Sequence, residues 1–533
     1  MTSSNVIRLV CAISLAWTLQ LPLDAQTHFE ALQDTTPWLH SQNAAGLTAL
    51  PDDVRTNYAE TYFRKEDGGW GDYHASPDSR TFGARTASFY RVNNRLVLSG
   101  NVSYANFQGK DMTGSVWLDP DDQPFDIVEM DPQYAGTKNR EQYNLMGALG
   151  VELGKGFSLG GRVDFTSANN AKRRDLRSQN KLMDLQAGGG LLWAKDNLQV
   201  GLSYTYRRTL EELLFKTYGT TGIFYASLID YGASFGVSEY SDANGLTDED
   251  EERPMLSERH TLSLQLGLGR GSTKWLHEGW LEWRKGYYGK RSLFTPVFME
   301  HSGTAWGYAG RLTWQQRHAV TYEVSGNHLE NWQNLFNYVN QGGGLNEYIY
   351  HGRLKTRGQR TLCADVGYRF YGRAWTHRVM AGYHERRLTA SFYPFYRRQQ
   401  IRTFVADLAS RRQWVRRQHD WSVELQLGYQ QGEGTMAEDG SYDSMGEGTS
   451  AIAKSTLIRT SLVTLPAVLQ QQYDYLTAPQ GRVGINLLYG RRLQNNRLRL
   501  FALLSAQYQQ AWSVTADVEK HHQIISFSLG CTF

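Results

Sequence analysis

Cysteine is scarce in this chain of 533 residues, which has three. Cys11 falls in an apolar leader, so Cys363 and Cys531 alone would remain after export. Two thiols in so long a chain make no disulfide framework. Proline is also rare, at 12 residues. Because proline removes a ladder donor, its rarity suits long continuous strands. Beyond the leader no run of about 18 apolar residues occurs, which excludes a helical membrane protein. Mean hydropathy is low, at -0.52. A β-barrel stays open, since its strands are apolar on one face only. Net charge is only +3, so no nucleic-acid partner is expected. What the chain has in quantity is 31 Tyr, 21 Phe and 15 Trp, enough for two interfacial girdles.

The opening "MTSSNVIRLVCAISLAWTLQLPLDAQ" has Arg8 before an apolar run, with Leu23-Asp24-Ala25 ahead of Gln26. That pattern predicts a signal peptide over 1–25. Residues 26–53 follow as a periplasmic segment, short for a folded plug but long enough to enter a lumen. There Trp38 and Leu39 would pack inside, and Ala44, Ala45 and Gly46 would allow close approach to a wall. A disordered tail is the alternative.

From 54 to 533 the pattern is alternation. In "HTLSLQLGLG", Leu262, Leu264, Leu266 and Leu268 alternate with Thr261, Ser263, Gln265 and Gly267. "DWSVELQLGYQ" and "EQYNLMGALGVELG" repeat it. Such segments are strands with one apolar face. The chain ends on "HHQIISFSLGCTF", where Ile525, Phe527, Leu529, Cys531 and Phe533 share a face. This strand resembles the C-terminal signal of outer-membrane barrels. Phe527, Leu529 and Phe533 would then be read by the barrel-assembly machinery.

Turn residues such as Asn93-Asn94, Gly154-Lys155-Gly156, Lys195-Asp196-Asn197, Gly271-Ser272-Thr273 and Gln494-Asn495-Asn496 join strands in pairs. Long polar segments around 109–140, 209–259, 328–358 and 431–467 separate the pairs. Short turns at one end and long loops at the other predict an all-β fold: a transmembrane antiparallel up-and-down barrel. Counting gives about eighteen strands, with sixteen the alternative because 456–480 alternates weakly. Outward aromatics then fall at both interfaces: Trp193, Trp314, Trp421 and Tyr489 below, Tyr104, Tyr206, Tyr429 and Tyr508 above. Outer-membrane lipid is accordingly an expected partner.

The inward face carries Glu152, Arg162, Asp164, Arg207, Arg311, Glu323, Asp365, Arg369, Glu424 and Arg482. Structural ion pairs and a hydrated solute path both account for them, and their mixed signs oppose strong charge selectivity. The loop "KTYGTTGIFYASLIDYGASFG" (216–236) is too apolar for free solvent. Its Tyr218, Phe224, Tyr225 and Tyr231 are expected to set a lumenal constriction or meet a partner. "ENWQNLFNYVNQGGGLNEYIYHG" (330–352) mixes rings with amides, as sugar or protein contacts require.

"PWLHSQNAAGL" (37–47), "GDYHASPDSRTFGARTASFYRV" (71–92) and "NRLVLSGNVSYANF" (94–107) resemble the opening of an uncharacterised outer-membrane barrel family of Bacteroidota, porin-like and of unknown function. The resemblance implies a companion of nutrient-uptake systems, with a surface lipoprotein or larger receptor as partner. It carries over no catalytic residue.

No HExxH pattern is present, and the two GxSxG matches, "GFSLG" (156–160) after a short turn and "GASFG" (232–236) in the apolar loop, have no base assigned beside them, so an enzyme is not expected. His521-His522 reads as a solvated loop end. The acidic run "SDANGLTDEDEERP" reads as a solvated loop in preference to a Ca²⁺ site, and "DPDDQPFDIVEMD" as a second acidic loop, the pair offering divalent ions that bridge surface lipid as the alternative; no metal site or cofactor is expected. The predicted function is a channel or accessory protein for uptake of a small nutrient. A non-conducting scaffold that docks a lipoprotein or receptor is the alternative, and an outer-membrane hydrolase a distant third.

Overall fold

The computed structural model describes residues 36–51, 54–218, 222–241, 246–247, 252–290, 296–340, 346–442, 462–493 and 498–533. The leader expected over 1–25, the first residues of the segment 26–53, most of the acidic run at 241–254 and the turn at 494–496 lie outside them.

Eighteen antiparallel strands form one sheet that closes on itself. The first, Arg55–Asp67, pairs with the last, His521–Thr532, from Tyr58 opposite Thr532 to Asp67 opposite Gln523. Asn57 and Phe533 extend the seam with backbone hydrogen bonds of 2.8 and 3.1 Å. Closure pairs every wall strand on both sides, which a sheet in lipid requires because each unpaired backbone group there costs several kcal/mol. The count is eighteen, yet the weakly alternating stretch 456–480, where described, stands apart from the wall up to Pro479. It contains a short interior strand, Leu462–Thr464, and an α-helix, Pro466–Thr477. Pro466 sits in the first helical turn, where a missing N–H costs nothing.

Alternation divides every wall strand. Leu145, Leu149, Leu202, Leu264, Val366 and Phe404 are exposed on the outside. An apolar belt of this extent on a closed barrel is a lipid-facing surface. Aromatic clusters bound it. Trp421 lies 4.5 Å from Tyr489 and Trp314 stacks on His318 at 4.7 Å near the short turns. Tyr104 with Tyr143 (4.9 Å) and Tyr383 with Phe404 (5.1 Å) stand toward the other end.

The expected long loop at 328–358 is instead two strands, His318–Asn340 and Asn346–Tyr371, of 23 and 26 residues. A membrane crossing needs only about 9–11 residues, so this hairpin projects well beyond one. Cross-strand rings sustain it: Phe336 lies 5.7 Å from both Tyr348 and Tyr350. The other long connections turn inward. Gly114–Ser115, Asp126–Glu129, Tyr225–Asp230, Phe235–Ser241 and Leu462–Thr464 make a second, five-stranded sheet. Phe125, Ile127, Tyr231 and Phe235 of this region bury against Leu213, Phe215, Met255 and Tyr288 of the wall. The largest apolar core therefore lies inside the barrel.

Candidate functional site

Two bodies occupy the interior. At the short-turn end, residues 36–51 lie against inward glycines of the wall. A Cβ on Gly160 would sit 2.0 Å from the Ala45 nitrogen, and one on Gly190 2.2 Å from Asn43 Oδ1. Only glycine admits the segment this closely. The Asn43 amide donates to the Leu191 carbonyl and to Gln265 Oε1, both at 3.0 Å. Trp38 Nε1 donates to Gln199 at 2.5 Å. The Arg91 guanidinium donates to the carbonyls of Thr48 (2.8 Å) and Leu50 (2.5 Å). Toward the other end, the interior sheet and the α-helix fill the lumen.

Beside that sheet lies a cavity of about 580 Å³, roofed by the connection between the first two strands. Gly68 begins this roof with φ +110°, and a Cβ there would meet the His521 carbonyl at 2.4 Å. Neighbouring loops lock the roof down. Trp70 Nε1 donates to Gln480 at 2.8 Å, the Gly69 N–H to Glu519 at 2.9 Å, and Gln471 of the helix to the Gly71 carbonyl at 3.3 Å. Asp474 accepts the N–H groups of Thr515 (2.8 Å) and Ala516 (2.6 Å).

Trp70, Tyr73, Phe107, Trp117 and Tyr475 give the cavity aromatic faces, and Asp72, Lys138, Arg140, Asn170 and Gln509 give it polar groups. Arg140 lies over the Phe107 ring at 5.1 Å. Lys138 Nζ donates to the Ser115 carbonyl at 2.8 Å. Tyr73 and Ser115 both donate to Asp126, Ser115 at 2.6 Å. Burial pushes the Asp126 carboxyl up to about 6, against those hydrogen bonds. Burial, and then the charge of Asp126, raises the Tyr73 phenol well above its ordinary value. Asp72 is raised by burial, which outweighs the opposing charge of His74. Rings beside amides, one ammonium and one guanidinium suit a small polar or ring-bearing solute. Among the described residues no group of three or more His, Cys, Asp or Glu could hold a metal ion.

A family of unknown function, DUF6850, has a model that matches residues 44–533. The chain belongs to the DUF6850 family. This meets the expectation of an uncharacterised barrel family and does not bear on the organism. No curated protein matches in sequence. Among solved structures the chain is similar to the outer membrane transporter YddB from Escherichia coli, at 8% identity over 89% of this chain and 80% of that one, with TM-score 0.40. BauA, the ferric preacinetobactin receptor from Acinetobacter baumannii, gives 8%, 90%, 80% and 0.38. A Pseudomonas aeruginosa FadL homologue gives 10%, 94%, 95% and 0.32.

In this DUF6850 chain the ten expected lumenal residues line the wall and do not converge on the cavity. Most have ionic or hydrogen-bonding partners nearby. Arg162 pairs with Asp164 (3.2 Å), Arg207 with Asp184 (2.6 Å), Glu424 with Arg411 (2.9 Å) and Arg482 with Asp407. Glu152 stands 3.9 Å from Arg91, Asp365 3.3 Å from His384, and Arg369 donates to the Tyr371 hydroxyl at 3.1 Å. Arg311 and Glu323 lie on the same inward face. The loop aromatics are split: Tyr225 and Tyr231 are buried in the interior core, whereas Tyr218 and Phe224 are 63% and 70% exposed. Phe527, Leu529 and Phe533 are exposed on the outer face of the closing strand.

Two expectations of solvated polar ends are corrected. His522 hydrogen-bonds Glu66 at 3.2 Å inside the barrel. The acidic stretch 119–131 turns inward, where Asp122 pairs with Arg259 and Arg284 and Asp126 joins the interior sheet. The cavity residues themselves escaped sequence reasoning. Their one local sign is Trp70 and Tyr73 within "GGWGDYH", rings in a loop too glycine-rich to pack them alone.

Proposed function

We propose that this chain is an outer-membrane barrel of a Gram-negative bacterium that takes up a small polar nutrient, held first in the roofed cavity. The observation that carries this reading is the cavity itself: about 580 Å³ of mixed aromatic and charged lining, enclosed by a lipid-facing wall. Residues 36–51 occupy the short-turn end, assigned to the periplasm, and passage requires them to move. The test is conductance in planar bilayers of the intact barrel and of a form lacking 36–51. A silent intact barrel with stable openings after deletion supports a gated path.

A non-conducting scaffold is the second reading. It is supported by occupation of both ends of the lumen and by exposed Tyr218, Phe224 and Tyr240 at the long-loop end, a surface suited to a lipoprotein or receptor. Silence of both forms, each folded by heat-shift on a gel, would favour it, and a stoichiometric co-purifying protein would identify the partner. The closing strand would serve recognition by the assembly machinery in either case.

A further inference from the structure

The outer face of the wall is not uniform above its lipid-facing belt. On the strands Asn346–Tyr371, Trp375–Phe392 and Phe395–Arg416 the outward side chains run from apolar to cationic. Val366 and Leu362 lead to Arg360, Val379 and Tyr383 lead to Arg387, and Leu408 and Phe404 lead to Arg402 and Arg398. The Tyr383–Phe404 ring pair marks the top of the belt. At roughly 3.3 Å per residue, Arg402 lies about 7 Å and Arg387 about 13 Å beyond it. With the strands tilted by about 40°, these distances are about 5 and 10 Å in height, at and just outside the headgroup level where interfacial aromatics sit.

These residues surround a recess of about 510 Å³. Lys355, Arg360, Arg387 and Arg398 supply four permanent cations, against the carboxylates of Glu330 and Glu438. Lys355 pairs with Glu330, and Arg387 with Glu385 at 2.9 Å. Among the described residues no carboxylate lies within ion-pair distance of Arg360 or Arg398, and Arg398 rests instead over the Tyr396 ring at 4.6 Å. Gly358, without a side chain, leaves room for Lys355, whose Cε a Cβ there would meet at 3.2 Å. At the long-loop end of another part of the wall a smaller recess, about 390 Å³, is lined mainly by amides such as Asn106, Gln108, Asn139 and Asn169, with two guanidiniums, Arg80 and Arg173, and the carboxylate of Glu141. Guanidinium forks suit phosphate oxygens bidentately, and amides do not.

We propose that the recess of Lys355, Arg360, Arg387 and Arg398 binds the phosphorylated headgroup of an outer-leaflet lipid. This rests on the reading of the chain as an outer-membrane barrel with its long loops outside. The site would fix the barrel's rotation and depth in the leaflet and leave the lumen untouched.

The test is native mass spectrometry of the full barrel with diphosphorylated lipid A or its dephosphorylated counterpart, comparing wild type with Arg360→Gln/Arg387→Gln/Arg398→Gln. Wild type should retain the phosphorylated lipid, and the triple variant should lose about tenfold of that retention. Asn106→Ala/Asn139→Ala on the amide-lined recess should retain it in full. Millimolar inorganic phosphate should not displace it. Equal retention by the triple variant, or by the dephosphorylated lipid, overturns the proposal. So does binding of inorganic phosphate with no lipid retained. Single Arg360→Gln, at an exposed position, serves if the triple variant misfolds, and must weaken retention. Insertion of wild type into phosphatidylcholine vesicles tests the membrane reading separately, since it needs no phosphorylated glycolipid.

Discussion

The two bodies inside the barrel are held by different physics. The interior sheet is a dry core, with Phe125, Ile127 and Leu228 fully buried. Residues 36–51 are held by hydrogen bonds to inward amides, carbonyls and Arg91 together with two smaller apolar clusters, Trp38 and Ala45 with Leu192 and Leu276, and Leu47 and Leu50 with Phe89 and Val97. Buried apolar contact is lost all at once when a body leaves, whereas hydrogen bonds exchange with water at a net cost of only about 1 kcal/mol each. By that measure the N-terminal segment is the more readily displaced of the two bodies, as the proposed uptake requires.

The strongest way to break this contrast is to empty the dry core. Phe125→Ala should cost about 3–5 kcal/mol, because the vacated space lies among side chains that cannot collapse into it. Limited proteolysis should then cut within 114–129 and 225–241, while the wall keeps its heat-shifted band on a gel. Simultaneous loss of that band would mean that wall and filling form one cooperative unit.

The second test uses pH. Burial raises the Asp126 carboxyl from 3.8 to about 6, with Asp230 adding to the rise. The folded state thus favours the protonated acid. Its contribution is complete below about pH 4 and is lost as pH rises through about 6; at ~1.4 kcal/mol per unit this is on the order of 3 kcal/mol. Amide exchange at Ile127 and Val128, corrected for its chemical rate, should show more protection at pH 5 than at pH 7. Asp126→Asn should flatten the profile. Protection that grows with pH would refute the assignment.

A gentler substitution addresses the movable body. Gly160→Ala places a methyl 2.0 Å from the Ala45 nitrogen, so the segment or the strand must shift. Overpacking of this kind costs about 1–3 kcal/mol. Cleavage within 36–51 by protease added from the short-turn side should rise. Gly161→Ala is its control, since a Cβ there meets nothing within 4 Å. Equal behaviour of the two variants would show that the segment does not depend on this contact.

The wall was legible in the sequence because a period of two is a local signal: Leu262 to Leu268 alternate whatever lies across from them. Strand count and closure followed from turns and loops. The interior was not legible in the same way. Asp126 and Asp122 look like solvated loop acids until Ser115 folds back from the same connection, Tyr73 arrives from another, and Arg259 and Arg284 reach in from the wall. The hairpin around 340 read as a loop because its strands leave the membrane, where alternation no longer has lipid to obey. The cavity depends on Trp70 of the first connection, Lys138 of a wall strand and Tyr475 of the interior helix converging, and no spacing within one segment encodes that.

The smallest expected effect concerns the wall's own charges. Arg482 and Asp407 pair on the inward face, with side chains 42% and 27% exposed. A pair so open to water is worth about 0–1 kcal/mol, so Arg482→Gln should leave the unfolding midpoint almost unchanged. If the barrel conducts once residues 36–51 are removed, the same variant should shift its preference toward cations, because Asp407 then faces the path without its partner. A stability loss of several kcal/mol would instead make the wall charges part of the fold. The lumenal wall would then be a third region, held as tightly as the interior sheet.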